Sequence, residues 1–291
     1  MVKSVRGGDD VVPIFTGGGT RLSAHIGILH ALETLDVQFD HLVGVSGGSI
    51  IGSLYSSGFS LPAIKRLAID TDFAQFKGYS VLHLLMAGGL SSGNDFEQWV
   101  EGHLDGRCFK DLERNLHIVA TDVVSGTPVI FNKELTPDMK VSQAVRYSMS
   151  IPLLFAFKKL DEHIMVDGSI LAEDALHRDW SGSGTPVICF RLRSEELSKR
   201  AAVAGFFPLK SYMTLLIRTF MNTISREYIN DKFWHNTVII NTGSISPVDF
   251  NLSLGDKEEL FLQGYNTAMQ VIPEKIFGGM SKKSYLKNMK L

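Results

Sequence analysis

A short glycine-flanked segment near the start of the chain has the residue types of a serine nucleophile. Residues 44–48 read Gly-Val-Ser-Gly-Gly, a G-x-S-x-G pattern in which Gly44, Gly47 and Gly48 surround Ser46. Such small flanks let a strand turn sharply into a helix, which leaves the serine hydroxyl accessible for attack on a substrate. A glycine-rich helix start capped by Ser46 is the competing interpretation of the same residues.

A run of three glycines lies upstream of that serine, in Gly17-Gly18-Gly19-Thr20-Arg21. Consecutive glycines can direct several backbone N–H groups into one small space, which suits an anion. A phosphate loop would need G-K-[ST], and the dinucleotide pattern G-x-G-x-x-G fails because Leu22 stands at its last glycine. An oxyanion hole, which a serine nucleophile requires, and a plain tight turn are the interpretations left open.

A serine nucleophile also needs a base, and none of the nine histidines stands in a recognisable catalytic setting. Asp167 followed by His177 or His235 would fit the chain order of one hydrolase triad, but nothing in the local sequence selects those histidines. Asp167-Gly168 is the better candidate, because it follows an apolar run and the glycine permits a turn that directs the carboxylate into a pocket. Most Asp-Gly pairs are ordinary turns, so this pair alone is a weak indication.

The elements that would position these residues alternate between strand and helix patterns, which is typical of a parallel sheet flanked by helices. Strands are predicted at 11–15, 41–45, 116–123, 128–131, 163–166, 186–192 and 237–241. Helices are predicted at 21–35, 49–57, 61–69, 94–104, 141–148 and 211–229. Ser125-Gly126 marks a hairpin, and Pro13 is awkward in the first strand because proline removes a ladder donor. We therefore predict an α/β fold in one domain over 1–291, with its core at about 10–272.

Composition excludes several classes of protein. The 291 residues are 44% hydrophobic and 21% charged with a net charge of −2, which argues against disorder, a disulfide scaffold and nucleic-acid binding. Two cysteines, Cys108 and Cys189, are typical of a reducing compartment. Neither a membrane-spanning stretch nor a signal peptide is recognisable. We expect a cytoplasmic protein, with peripheral membrane attachment and signal-independent secretion left open.

Together these motifs resemble those of the patatin-like phospholipases, over about residues 10 to 272. The matching segments are the glycine nest 17–21 (G-G-G-x-[RK]-G), residues 120–122 with Gly126 (the central hairpin), 148–155 (S-x-S-I-P-x-x-F) and Asp167-Gly168-Ser169 (D-G-[GA]). Two residues depart from the family pattern. Leu22 replaces a glycine, and Ser169 replaces a glycine or alanine.

The resemblance implies a three-layer α/β/α patatin-like fold and a serine–aspartate dyad that works without a histidine. Ser46 would be the nucleophile, Asp167 the general base, and Gly18 and Gly19 the oxyanion donors. The chain would hydrolyse acyl esters of phospholipids or lysophospholipids, with no cofactor and no metal. Arg21 would either bind a lipid phosphate or brace the glycine loop, and bracing is favoured. An acyltransferase and a catalytically inert lipid-binding module are the alternatives.

Three further segments bear on how a lipid would be reached. Residues 81–90 and 206–220 are apolar and would be either plain core or, if exposed, a lid and an interfacial surface. The basic tail 273–291 has no acidic residue after Glu274 and would either bind anionic lipid or stay a solvated end; its lysines are Lys275, Lys282, Lys283, Lys287 and Lys290. An activating partner and a homo-oligomer are left open.

Overall fold

A computed structural model describes residues 11–78, 80–172, 176–194, 212, 215–217, 219 and 236–276. The basic tail beyond residue 276, most of the predicted helix 211–229 and most of the apolar segment 206–220 lie outside these residues. That the chain forms one domain over 1–291 therefore stays a prediction.

Ten strands and seven α-helices are described over their full length. The strands are β1 (Val12–Phe15), β2 (His41–Val45), β3 (Gly89–Ser91), β4 (Asn115–Asp122), β5 (Thr127–Phe131), β6 (Leu153–Phe155), β7 (Lys158–Leu160), β8 (His163–Val166), β9 (Val187–Arg193) and β10 (Thr237–Asn241). The helices are α1 (Leu22–Thr34), α2 (Gly47–Ser56), α3 (Leu61–Asp70), α4 (Val81–Ala87), α5 (Asn94–Leu104), α6 (Val141–Ser148) and α7 (Leu254–Ile276).

Hydrogen-bonded pairs connect the strands of the central sheet in the succession β10-β9-β1-β2-β4-β8-β7, and β5 also pairs with β4. Strands β10, β9, β1, β2 and β4 are parallel, whereas β5 and β8 run antiparallel to β4. Its two faces are buried in separate apolar clusters, because side chains alternate along each strand. The predicted α/β fold, a mostly parallel sheet flanked by helices, is confirmed.

Strands β2 and β8 lie along the same edge of β4 and run towards each other. Both β2 and β5 pair with β4 around Val119, and both β5 and β8 pair with it at Thr121, so β5 occupies one edge and β2 and β8 share the other. Val45 pairs with Val119 and Val166 with Thr121. The next residues, Ser46 and Asp167, therefore meet end to end opposite Ala120.

Pro13 lies in a central strand without breaking the ladder. The backbone N–H groups of Val12 and Thr16 donate to the carbonyls of Pro186 and Phe190, on the β9 side of β1. Because the N–H groups of successive strand residues point to opposite sides, the ring nitrogen of Pro13 points towards β2. Pairing of β1 with β2 starts only at Ile14, one residue later. The proline consequently removes no hydrogen bond that the sheet needs.

Helix α7 was not predicted. It packs across α1 at two glycines, Gly27 of α1 and Gly264 of α7, each of which lies against the backbone of the other helix. A Cβ at Gly264 would come within 2.1 Å of the Ala24 carbonyl oxygen, and one at Gly27 within 2.1 Å of the Phe261 carbonyl oxygen. Only glycine permits this close approach. The crossing fixes α1 against the sheet, and α1 begins directly after the glycine nest.

Most predicted elements fall within two residues of the observed ones, and the differences concern short or apolar segments. The apolar segment 81–90 divides into helix α4 and strand β3, and β3 pairs with β6 in a separate two-stranded sheet. The short strands β3, β6 and β7 were not predicted. Cys108 and Cys189 do not form a disulfide with each other. In the described part of the chain, no helix combines the length and apolar character needed to cross a bilayer.

Candidate active site

Ser46 lies on a sharp turn between β2 and α2, in a strained backbone conformation. Its φ of 51° and ψ of −125° are unusual for a residue with a side chain and cost about 1–3 kcal/mol. Two hydrogen bonds hold the turn: the Ser46 N–H donates to Ser148 Oγ at 2.8 Å, and Ser148 Oγ donates to the Val119 carbonyl at 2.6 Å. A Cβ at any of the flanking glycines would lie 2.1–2.6 Å from a backbone atom; these are Gly44, Gly47 and Gly48. The strand–turn–helix elbow that G-x-S-x-G predicts is present in the structure.

Ser46 and Asp167 form a buried hydrogen-bonded pair. Ser46 Oγ donates to Asp167 Oδ2 at 2.6 Å, and the Ser169 N–H donates to Asp167 Oδ1 at 2.8 Å. Neither Ser46 nor Asp167 is exposed to solvent. Burial raises the pKa of Asp167 to about 6, while hydrogen bonds from Ser46 and Ser169 act in the opposite direction. A carboxylate with a pKa near neutrality suits a general base.

Gly168 allows the chain to turn directly after Asp167, close against β4. A Cβ at Gly168 would lie 2.0 Å from the Val119 carbonyl oxygen, so a larger residue would push the turn off β4. The Asp167 N–H donates to the Ser150 carbonyl at 2.9 Å, which ties the turn to the segment that follows α6. The D-G pair thus directs the carboxylate towards the end of β2.

The glycine nest presents unpaired backbone donors beside this pair. His25 Nε2 contacts the Thr16 carbonyl at 3.0 Å, and Arg21 Nε donates to the Gly18 carbonyl at 3.0 Å. In a trans peptide the N–H points away from the preceding carbonyl, so the Gly17 N–H points away from the His25 ring and the Gly19 N–H points away from the Arg21 guanidinium. Among the described residues, no acceptor takes a hydrogen bond from the N–H of Gly17, Gly18 or Gly19. The nest is thereby prepared to receive an anionic oxygen.

Arg21 is buried and fully engaged with the protein. It is 1% exposed, and its guanidinium donates to the Gly18 carbonyl, to Thr242 Oγ1 at 2.9 Å and to the Leu192 carbonyl at 3.4 Å. Burial lowers its pKa to about 9. A guanidinium held this way favours bracing of the nest over binding of a lipid phosphate, and its partners are carbonyl and hydroxyl oxygens.

The histidines whose contacts are described bind groups other than Ser46 and Asp167. His25 is fully buried against the nest, where burial lowers its pKa to about 3 and keeps the ring neutral. His163 Nδ1 lies 2.7 Å from Asp122 Oδ2, at the turn between β4 and β5. His235 lies outside the described residues. The geometry therefore pairs Ser46 with a carboxylate rather than with an imidazole.

Two features of the site were not predicted. Ser148 fixes the Ser46 amide, and the only sequence signal for it was its place in the S-x-S-I-P segment. A small apolar cavity of about 20 Å³ adjoins the nest, about the space of one water molecule. Its lining includes Gly19, Leu22, Ile50, Met149, Ile151 and the rings of Phe73, Phe76, Phe96, Phe155 and Phe250. Leu22, the departure from the family pattern, thus contributes to an apolar wall.

A serine on a strand–turn–helix elbow, at the carboxyl end of a parallel strand, is the arrangement found in α/β serine hydrolases. The family model for patatin-like phospholipase matches residues 14–177, which is more than half of the chain. The chain belongs to the patatin-like phospholipase family.

Its relatives include both sequences and solved structures. The YqhO protein of Bacillus subtilis is 27% identical over 276 residues, which cover 86% of this chain and 94% of that protein. A probable lipid hydrolase, 463L of Invertebrate iridescent virus 6, is 26% identical over 54% of this chain and 59% of its own length. The crystal structure of VipD from Legionella pneumophila superposes with a TM-score of 0.62 at 13% identity, over 91% of this chain and 67% of that one. The patatin-like fold predicted from the sequence is confirmed.

Proposed function

We propose that the chain is a serine acyl hydrolase that cleaves acyl ester bonds of phospholipids or lysophospholipids, with Ser46 and Asp167 as its catalytic pair. The observation that carries this proposal is the 2.6 Å hydrogen bond from Ser46 Oγ to Asp167 Oδ2, beside a nest of unpaired N–H groups. Membership of a family with a lipid hydrolase among its relatives supports the choice of substrate.

The first half of the reaction transfers the acyl group to the protein. Ser46 Oγ attacks the ester carbonyl carbon while its proton passes to Asp167 Oδ2. The carbonyl oxygen becomes an oxyanion that accepts hydrogen bonds from the N–H groups of Gly18 and Gly19, near the N-terminus of α2. The intermediate then breaks the bond to the alcohol, which leaves with the proton from Asp167.

The second half releases the fatty acid. A water molecule gives a proton to Asp167 and attacks the acyl carbon of the Ser46 ester, and the same N–H groups hold the new oxyanion. The carbon–Oγ bond breaks, and Ser46 Oγ takes the proton back from Asp167. The pair returns to its starting state and the acid departs.

The lipid approaches from the side of α4. The described helix exposes three large apolar side chains, Leu82, Leu85 and Met86, at 67%, 79% and 78%. Phe157, next to Gly88 at the end of this helix, is also partly exposed. An apolar surface of this kind is typical of contact with a membrane interface. The cavity beside the nest would receive the acyl chain, but at its present size the surrounding rings must move apart first.

Labelling with a fluorophosphonate tests the nucleophile. We expect the wild-type chain to be labelled once, at Ser46, and to release fatty acid from phospholipid vesicles. Ser46→Ala should abolish both, and Asp167→Asn should lower both at least a thousandfold with the fold intact, since the two groups act as one unit.

Ser53→Ala is the matched control, because Ser53 is a buried serine on α2 that donates only to the Ile50 carbonyl. It should keep wild-type labelling and turnover. Near-normal turnover in Asp167→Asn would refute the pair. Labelling without release of any fatty acid would refute the hydrolase and favour an acyltransferase.

A further inference from the structure

His25 is a buried histidine on α1 whose one hydrogen bond, among the described residues, goes to the residue before the glycine nest. The ring is not exposed to solvent, and its Nε2 lies 3.0 Å from the Thr16 carbonyl oxygen. Its Nδ1 has no hydrogen-bond partner among the described residues. A carbonyl oxygen only accepts, so the ring carries its proton on Nε2 and donates to Thr16. A buried imidazole with a single hydrogen bond calls for a physical reason.

The register of the sheet places Gly17 opposite Ser46. Strands β1 and β2 are parallel, and Phe15 pairs with Gly44. Two residues further along both strands, the same register brings Gly17 opposite Ser46. A Cβ at Gly17 would accordingly lie only 3.5 Å from Ser46 Cβ. The first glycine of the nest therefore lies directly beside the proposed nucleophile.

The Gly17 N–H points to the side on which Ser46 lies. The Thr16 N–H donates to the Phe190 carbonyl, on the β9 side of β1. Because N–H groups alternate in direction along a strand, the next one, of Gly17, points to the β2 side. The contact of His25 agrees with this direction, since the Gly17 N–H points away from the carbonyl that His25 holds. No acceptor among the described residues takes this N–H, so it is available to a substrate.

We propose that His25 is a positioning residue that fixes the Thr16–Gly17 peptide, so that the Gly17 N–H becomes a third donor to the oxyanion, beside those of Gly18 and Gly19. The inference rests on the proposed function and adds both a donor and the side chain that aligns it. Glycine places no side-chain restriction on this peptide. Without the hydrogen bond from His25 the peptide is free to rotate, which would turn its carbonyl towards the developing negative charge.

Amide NMR follows the Gly17 N–H directly. The sequence Thr-Gly occurs twice in the chain, at Thr16-Gly17 and Thr242-Gly243, so ¹³C-carbonyl threonine with ¹⁵N-glycine gives two signals in a carbonyl-edited amide spectrum. The Gly243 N–H already donates to a neighbouring side chain and is the internal control. When a fluorophosphonate reacts with the nucleophile, its phosphonyl oxygen takes the place of the oxyanion. We expect the Gly17 signal to move downfield and the Gly243 signal to stay.

Kinetics separate the positioning role from a general structural one. His25→Phe keeps a planar ring and removes the donor, so kcat for a soluble short-chain ester should fall roughly 10- to 100-fold with KM unchanged. The downfield shift of Gly17 should be lost in the same variant. His25→Gln restores a side-chain N–H donor and should recover most of kcat. His30→Phe, at an exposed histidine of the same helix, is the control.

The wild-type adduct alone is decisive, even if His25→Phe does not fold. An unmoved Gly17 signal in that adduct would overturn the inference. Equal losses of kcat in His25→Phe and His25→Gln, or a raised KM with unchanged kcat, would do the same. Failure of the wild-type chain to be labelled would instead overturn the proposed function, and the inference with it.

Discussion

Two arginines buried near the site donate to backbone carbonyls and to hydroxyls. Arg21 holds the Gly18 carbonyl, and Arg146 donates to Ser150 Oγ and to the Ala156 carbonyl, both in the segment that follows α6. A planar guanidinium can hold several carbonyls in fixed directions, which an ammonium cannot do. At the scale of single residues, Arg21 therefore fixes the glycine nest. Arg146 fixes the segment after α6, to which the Asp167 backbone is hydrogen-bonded.

We predict that Arg21→Lys lowers kcat by roughly 10- to 100-fold with little change in KM. The substitution keeps the positive charge but loses the fixed donor to the Gly18 carbonyl, so the Gly19 N–H is no longer held towards the oxyanion. Steady-state kinetics on a soluble short-chain ester measure both constants. Arg66→Lys, at an exposed position on α3, is the control.

Phospholipid kinetics distinguish the other role of Arg21. If Arg21 bound a lipid phosphate, the substitution would raise KM for phospholipids and leave the soluble ester unaffected. That pattern would contradict the bracing role.

At the scale of secondary-structure elements, α4 is unusual because it exposes large apolar side chains that most helices bury. The helix is seven residues long, with the Ser80 hydroxyl accepting the His83 N–H at its start and Gly88 in the left-handed conformation at its end. Between these caps three large apolar side chains, Leu82, Leu85 and Met86, are exposed, which is unfavourable on a surface that contacts only water.

We predict that the triple substitution of Leu82, Leu85 and Met86 to Ser lowers hydrolysis of phospholipid vesicles at least tenfold. Each apolar side chain contributes about 1.5–3 kcal/mol when fully buried, and partial insertion of three exceeds the energy of a tenfold change. Vesicle sedimentation and fatty-acid release measure the effect, while turnover of a soluble ester should be unchanged. Leu135→Ser, at an exposed leucine in the turn after β5, is the control.

Equal losses on vesicles and on the soluble ester would contradict an interfacial role. They would mean that α4 supports the fold of the site rather than contact with lipid.

Apolar periodicity predicted the long helices and strands because this spacing involves only residues that are close together in the sequence. The helix at 94–104 and the strand at 41–45 match the structure to the residue. Strand β3 was missed because three residues carry no period and its pairing with β6 depends on the tertiary fold. Helix α7 was missed although Leu260, Gly264, Ala268 and Ile272 repeat every four residues, since two of the four are small.

The site was predictable in its residue types but not in its geometry. G-x-S-x-G and D-G indicate a nucleophile and a carboxylate, and the family resemblance pairs them. That the residues meet end to end follows from the register of β2 and β8 along β4, which no local pattern contains. Ser148 fixes the Ser46 amide through a position that only the folded chain defines.

At the scale of the whole molecule, two buried histidines tie stability to pH. Burial lowers the pKa of His25 and of His117 from 6.5 to about 3. The unfolded chain therefore binds more protons between pH 6.5 and 3, and the free energy of unfolding falls as the pH falls through this window. Asp167, whose pKa is raised to about 6, acts in the opposite direction below pH 6.

We predict a loss of about 2 kcal/mol for each of these histidines between pH 8 and pH 5, offset by about 1 kcal/mol from Asp167. Urea unfolding followed by circular dichroism at several pH values measures this slope. His117→Gln removes one titrating ring and should reduce the slope, even if it lowers stability at pH 8. An unfolding free energy that stays constant from pH 8 to pH 5 would contradict the prediction.

The end-to-end meeting of β2 and β8 also bears on when during folding the chain acquires reactivity. Ser46 and Asp167 lie 121 residues apart in the chain, and they come together only where both strands have docked on β4. A folding intermediate that has formed β1, β2 and α2 already carries the serine, yet it has no base beside it. Activation of Ser46 by Asp167, as proposed above, therefore requires β8 to be in place, so that a chain in which β8 has not paired with β4 would carry an unactivated serine.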